Sequence, residues 1–287
     1  MRVLVLTAAA GVADEAAARV AAGMQAAGLA PEAPRRLAGS AIEIGFSGEG
    51  DPRPFAGEAV DANVVPSEGR LKRLLIADMD STIIGVECID ELADFAGVKP
   101  QVSAITEAAM RGELDFEGAL RARVALLEGL PEAVLEECYA ERVKLNPGAR
   151  ILVRTMAGLG ADTALVSGGF EFFTERVAAA AGFGRHRANR LLAAGGRLTG
   201  TVGDPILGRA AKLEALRTIT AAGGYGAEAV LAVGDGANDL DMVVAAGLGV
   251  AYHAKPALKV AAGATLDRSD LTALLALQGV PETEWRD

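Results

Sequence analysis

A chain of 287 residues with 51% hydrophobic content is long enough to bury a large core and, on length alone, to form about two domains. A formal net charge of −10 excludes a general nucleic-acid binder, which needs a basic face; a phosphate-bearing ligand must be small and held by local positive groups. Two cysteines, Cys88 and Cys138, and two distant histidines, His186 and His253, exclude a disulfide framework, a structural zinc site and a His-rich metal site. Residues 2–7 read as a strand, 14–27 as an Ala-rich helix and 41–46 as an alternating strand, a small β-α-β unit. Its apolar start is soon interrupted by Asp14, Glu15 and Arg19 and is too short to span a membrane, so a cytoplasmic protein without a membrane partner is expected. Between 48 and 70, Asp51-Pro52-Arg53-Pro54 and Pro66-Ser67-Glu68-Gly69 are linker or loop chemistry, which places a domain boundary there. Residues 74–77 form an apolar run stopped by Asp78-Met79-Asp80-Ser81-Thr82, as a buried parallel strand is. From 87 to 143 a helical tract is broken at Gly97, Gly112 and Gly129, with Leu120, Val124 and Leu127 at helical spacing. Such an insertion, directly after the first polar strand end, is placed to act as a lid.

The β-α alternation then resumes. Pro147-Gly148 opens a helix to about 158, and 163–166 is a strand from which Ser167-Gly168-Gly169-Phe170 turns into a helix to about 181. Residues 189–202 suit a hairpin around Gly195-Gly196, and 209–221 a helix. The strand 230–233 runs into Gly234-Asp235-Gly236-Ala237-Asn238-Asp239, which opens a helix to about 246; a strand at 248–251 and a helix at 271–277 follow. Repeated alternation implies an α/β fold with a parallel sheet, right-handed crossovers and helices on both faces.

Ligands in such sheets bind beyond the carboxyl ends of the strands, where three polar loops would converge. Asp78 and Asp80 repel each other, and their joint burial calls for a hard cation such as Mg²⁺ or a retained proton. Ser167 and the glycine amides offer an anion-binding turn, the loop 234–239 offers further oxygen ligands, and Lys212 can add a positive charge. A phosphoryl group needs this set. A carboxylate can attack phosphorus, a cation and donors hold the equatorial oxygens, and a second carboxylate moves the proton.

In order, these motifs resemble the four signature motifs of the haloacid dehalogenase superfamily, and the surrounding residues resemble the phosphoserine phosphatase family within it. The resemblance is carried by Asp78-Met79-Asp80-Ser81-Thr82 with Glu87-Cys88-Ile89-Asp90-Glu91-Leu92-Ala93, by 116–124, Val166-Ser167-Gly168-Gly169-Phe170, Ala188-Asn189-Arg190-Leu191 and 233–239, and runs from about residue 72 to the C-terminus. It implies a Rossmann-like, doubly wound core over 71–86 and 144–287 and a helical specificity cap over 87–143; residues 1–70, which precede the resemblance, read as a small α+β domain plus linker, regulatory, dimerising or structural. It also implies Asp78 as nucleophile and Asp80 as general acid/base. Mg²⁺ would be held by Asp78, Asp235 and the carbonyl of Asp80, with Asp239 in support. Ser167, Gly168 and Lys212 would hold the phosphoryl group beside Asn238. In the cap, Glu87 would take the substrate ammonium and Arg123 its carboxylate, with Met110 and Phe116 closing over it. A zwitterionic amino acid needs one anion and one guanidinium fork, so the chemistry agrees.

The activity this implies is Mg²⁺-dependent hydrolysis of O-phospho-L-serine, the last step of serine biosynthesis. Two other classes keep most of these features: a phosphatase or phosphotransferase for another small phosphorylated amino acid, such as phosphothreonine or phosphohomoserine, and a silent amino-acid-binding regulator. The regulator has no physical need to maintain mutually repelling carboxylates. The expected partner is a small molecule, without nucleic acid, and the sequence leaves monomer and homodimer both open.

Overall fold

A computed structural model of the chain describes residues 1–110 and 113–287, Met110 by its backbone alone. The first elements are β1 (Arg2–Thr7), α1 (Asp14–Ala26), β2 (Ala30–Pro31), β3 (Arg35–Ala38), β4 (Ala41–Ser47) and β5 (Asp61–Pro66). They form an antiparallel sheet of order β2-β4-β1-β5, with β3 also paired to β4. Alternation along β1 explains its two faces. Leu4 and Leu6 pack with Val20 and Met24 of α1, whereas Val3 and Val5 join the main core.

The sequence reading placed β5 inside a linker, and the structure corrects this. Asp61 and Asn63 look like loop residues because their side chains serve the rest of the molecule. The Asp61 carboxylate accepts from the Asp267 and Arg268 amides at 2.8 and 2.9 Å and from the Ser269 hydroxyl at 2.7 Å.

Next come β6 (Leu74–Ala77), the cap helices α2 (Cys88–Phe95), α3 (Lys99–Met110), α4 (Phe116–Ala125) and α5 (Ala133–Arg142), then α6 (Ala149–Gly158), β7 (Asp162–Phe170), α7 (Glu171–Ala181) and β8 (Arg185–Asn189). The hairpin β9 (Leu191–Ala194) and β10 (Arg197–Val202) follows. Gly195 and Gly196, at φ of 59° and 74°, make its turn in a conformation that favours glycine. The chain ends with α8 (Arg209–Gly223), β11 (Val230–Gly234), α9 (Leu240–Ala245), β12 (Leu248–Tyr252), α10 (Pro256–Ala261), β13 (Ala264–Leu266) and α11 (Ala273–Leu277).

Among the described residues, β13-β12-β11-β6-β7-β8 form a six-stranded sheet whose pairs are all parallel. Its strands are apolar on both sides because both faces are covered. Leu75, Ala77, Leu165, Leu231 and Val233 pack toward α6, α7 and α11, and Leu74, Ile76, Ala164, Val166, Val230 and Ala232 toward α8 and α9. Truncating a fully buried side chain such as Leu75 or Leu231 to alanine costs about 2–5 kcal/mol.

The cap helices are separated at Gly97 and Gly129, as the sequence indicates, while the break at Gly112 lies outside the described residues. The Asp115 side chain opens α4 by accepting from the Gly118 amide at 2.7 Å. On the other side, the hairpin grips the cap. Gly129 donates to the carbonyl of Leu198, whose amide donates to Leu130, both at 2.9 Å. The strand predicted at 163–166 continues through Ser167–Phe170, so helix α7 begins only at Glu171. Its pairing with β8 slips between Val166 and Phe170, which takes the Ser-Gly-Gly stretch out of the regular ladder.

Candidate active site

Register brings the polar loops together. Ala77 of β6 lies opposite Val233 of β11 and Leu165 of β7, so Asp78, Gly234 and Val166 stand at one level where the polar segments of the three central strands begin. The Asp78 amide is fixed to the carbonyl of Val233 at 3.0 Å. Beyond this level lies a cavity of about 920 Å³ lined by Asp78, Asp80, Ser167, Gly168, Asp235 and Asn238 from the sheet, and by Glu87, Phe116 and Arg123 from the cap.

Lys212 of α8, 1% exposed, lies between two carboxylates, 2.6 Å from Oδ1 of both Asp78 and Asp239. Asp78 Oδ1 also accepts from the Met79 amide at 2.8 Å, so its engaged oxygen is Oδ1 and Oδ2 remains for chemistry. Asp239 Oδ2 accepts from the amides of Asp235 and Gly236 at 3.1 and 3.0 Å. Both oxygens of Asp239 are therefore committed, and it acts as a brace for the loop that carries Asp235.

The cluster Asp78, Asp235 and Asp239 brings one oxygen from each within 4.8 Å of the others. Burial, then Asp239, pushes the Asp78 carboxyl well above the usual range in spite of Lys212, and the same two causes push Asp235 to about 6. Burial also raises Asp80. For Lys212, burial alone would depress the ammonium, but Asp78 and Asp239 outweigh it and hold it above its usual range. One buried cation thus faces more carboxylates than it can balance. That oxygen-only donor set with excess negative charge suits a hard divalent cation, with Asp78 and Asp235 as the available side-chain ligands.

Asp80 is braced from two sides. Its Oδ1 accepts from the Cys88 amide at 2.9 Å, and its Oδ2 from the Ser167 hydroxyl at 3.1 Å, while Ser167 Oγ accepts from the Gly169 amide at 2.8 Å. A Cβ at Gly169 would stand 2.7 Å from Asp80 Oδ2, so only glycine lets Asp80 occupy this place. The sequence offers Gly169 only as one of the amides of an anion-binding turn; its approach to Asp80 is a tertiary contact.

In the roof, Ser81, at φ of 56°, donates to Glu87 Oε1 at 2.6 Å. Burial, with the charge of Asp80 next, raises the Glu87 carboxyl to about 7. Arg123 Nε donates to the Ala119 carbonyl at 3.2 Å, and among the described residues its guanidinium has no ion pair. Burial lowers its pKa. Asp90, Arg209 and Lys255 also line the cavity and were not singled out from sequence. Asp90 lies in the first turn of α2, three residues beyond Glu87, which precedes that helix. Of the site residues expected from sequence, the structure brings all but one to this cavity or to its network; the Met110 side chain lies outside the described residues.

Residues 75–243 match the family of haloacid dehalogenase-like hydrolases. The phosphoserine phosphatase of Streptomyces coelicolor is 44% identical over 254 residues, covering 85% of this chain and 62% of that protein. The phosphoserine phosphatase SerB2 of Mycobacterium tuberculosis is 47% identical over 215 residues, covering 75% of this chain and 52% of that protein. The chain therefore spans roughly half to three fifths of those relatives' own length. Among solved structures, a probable phosphoserine phosphatase from Vibrio cholerae superposes with a TM-score of 0.83 at 31% identity, covering 99% of this chain and 88% of that one. No helix among the described residues is long and apolar enough to cross a membrane.

Proposed function

The chain belongs to the haloacid dehalogenase-like hydrolase family, and from that premise we propose that it is a phosphoserine phosphatase, converting O-phospho-L-serine to L-serine and phosphate as the last step of serine biosynthesis. The observation that carries the substrate is the pair Glu87 and Arg123 in the roof of the cavity that holds Asp78. A half-buried guanidinium that has no ion pair among the described residues is ready for an anion. An acid beside it provides for the ammonium of the same ligand. Curated relatives named phosphoserine phosphatase, at 44% and 47% identity, support the reading.

In this reading Asp78 Oδ2 attacks phosphorus and the P–O bond to serine breaks, with Asp80 giving its proton to the departing oxygen. A carboxyl that burial keeps protonated to higher pH is suited to that task. Asp80 then takes a proton from the water that attacks the aspartyl-phosphate, which releases phosphate and restores Asp78. Ser167, the Gly168 amide and Lys212 hold the non-bridging oxygens, with Asn238 beside them. Asp78, Asp235 and the Asp80 carbonyl would hold Mg²⁺, which when bound offsets the repulsion between carboxylates and phosphoryl group, and Asp239 keeps their loop in place. Phe116 closes the roof to exclude water. Residues 87–143 act as the specificity cap on a core of 71–86 and 144–287, and 1–70 as an attached domain, in a cytoplasmic enzyme whose partner is its small substrate.

The test is phosphate release from L-phosphoserine, phosphothreonine, phosphohomoserine, glycerol phosphate and sugar phosphates, with Mg²⁺ and with chelator. Mg²⁺-dependent release with phosphoserine far ahead is the expected result. A flat preference would remove the roles of Glu87 and Arg123, and release that persists in chelator would remove the metal.

A further inference from the structure

The side chain of Asn189, at the end of β8 and 1% exposed, has no part in the chemistry above, yet both its amide hydrogens and its oxygen are engaged at the edge of the site. Its Nδ2 donates to the carbonyl of Gly168 at 2.9 Å and to that of Leu207 at 3.2 Å, and its Oδ1 accepts from the Leu207 amide at 2.7 Å. One amide therefore staples the slipped part of β7, which carries Ser167 and Gly168, to the segment that leads into α8 and Lys212.

The same two backbones receive the cap. A Cβ at Gly168 would stand 3.0 Å from Phe116 Cζ, and one at Gly208 would stand 3.0 Å from Phe116 Cδ1. The Phe116 ring thus packs against both Gly168 and Gly208. A second contact joins the cap to this segment, with Arg121 of α4 2.6 Å from Asp204. The ring lies across the junction that the Asn189 amide bridges.

We propose that Asn189 is a positioning residue that holds the phosphoryl-binding turn at Gly168 and the cap's landing surface at Leu207 and Gly208 at one spacing. Seating of the phosphoryl group and closure of Phe116 over it are then set by a single amide. The proposal rests on the phosphatase reading of the site. Backbone groups held by a buried, hydrogen-bonded side chain keep their geometry, and an anion is bound only as well as the donors so held are aimed at it.

The test compares Asn189→Ala and Asn189→Asp with the wild type in the full chain. The aspartate keeps the shape and the acceptor for the Leu207 amide but, when ionised, donates to neither carbonyl. KM for L-phosphoserine is expected to rise about tenfold or more, the scale of a lost hydrogen bond to a charged group. Binding of inorganic phosphate in the presence of Mg²⁺, read by calorimetry, should weaken by a similar factor, with kcat per folded molecule changed much less. If the alanine variant fails to fold, the aspartate variant gives the reading. KM and phosphate affinity within about twofold of wild type would overturn the proposal, as would a fall confined to kcat or to the yield of folded protein. Wild-type protein that binds phosphate but does not release it from phosphoserine would overturn the substrate reading, and the phosphate affinities of the variants would still decide the role of Asn189.

Discussion

Replacing Lys212 by methionine keeps a long side chain and removes the cation between Asp78 and Asp239. The three side chains are 2%, 5% and 0% exposed, so water cannot substitute for the ammonium. Removing one partner of a buried ion pair costs about 3–5 kcal/mol, because the other charge is left uncompensated. Here two carboxylates lose their partner. Part of the loss is recovered when one takes up a proton, and Asp78, already raised well above the ordinary range, is the group to do so. A carboxyl whose pKa is higher in the folded than in the unfolded chain binds protons preferentially when folded, so its contribution favours the native state in acid and is lost as pH rises. The deficit of Lys212→Met relative to wild type should therefore be about 3–5 kcal/mol near pH 8 in chelator and clearly smaller near pH 5. Urea unfolding followed by circular dichroism measures it, provided the slope with denaturant is unchanged. Mg²⁺ should recover part of the loss, since it binds the folded state. Equal midpoints for variant and wild type at both pH values would refute the view that the site carries surplus negative charge held in check by Lys212.

Asp78→Asn should abolish turnover and leave the unfolding midpoint unchanged or higher, since a repelled carboxylate is removed; appreciable residual phosphate release would remove Asp78 as nucleophile. For Arg123→Ala, loss of a charged bidentate contact, about 2–5 kcal/mol, should raise KM for phosphoserine about 30-fold or more. A phosphate ester without an amino-acid group should be little affected, and equal effects on both substrates would make the residue structural. Glu87, raised to about 7 by burial and then by Asp80, must be ionised to hold an ammonium. KM for phosphoserine should accordingly fall as pH rises through about 7, and Glu87→Gln should flatten that part of the profile; an unchanged profile in the variant would assign the slope to another group.

The central strands were legible because a strand buried on both faces leaves an uninterrupted apolar run, and 74–77 and 230–233 stop where their polar loops begin. The convergence of those loops followed from parallel topology alone, and the register of Ala77 with Val233 and Leu165 bears it out. What stayed hidden depends on partners far along the chain. β5 carries Asp61 and Asn63 where an isolated strand would carry apolar residues, because those side chains face residues 265–269. Ser167–Phe170 read as a turn from its glycines, whereas Gly169 is required by the approach of Asp80 within an extended strand. In the site, carboxylates, hydroxyl and lysine could be named from motif chemistry. The opposing commitments of the two oxygens of Asp239, one to Lys212 and one to backbone amides, come only from the fold.

The side chain of Asn63 treats β13 as a neighbouring strand would, donating to the carbonyl of Thr265 at 2.9 Å and accepting from its amide at 2.8 Å. β13 is the last strand of the parallel sheet, and an open strand edge is a template on which another chain can pair. Residues 61–63 occupy that edge with side chains instead of a continuous backbone ladder, which satisfies the exposed groups without extending the sheet. The antiparallel sheet at the start of the chain thus serves as an edge guard for the parallel sheet. A chain cut at residue 71 would bare the Thr265 amide and carbonyl together with the donors of Asp267, Arg268 and Ser269, and would also take Val3, Val5 and Val65 from the main core.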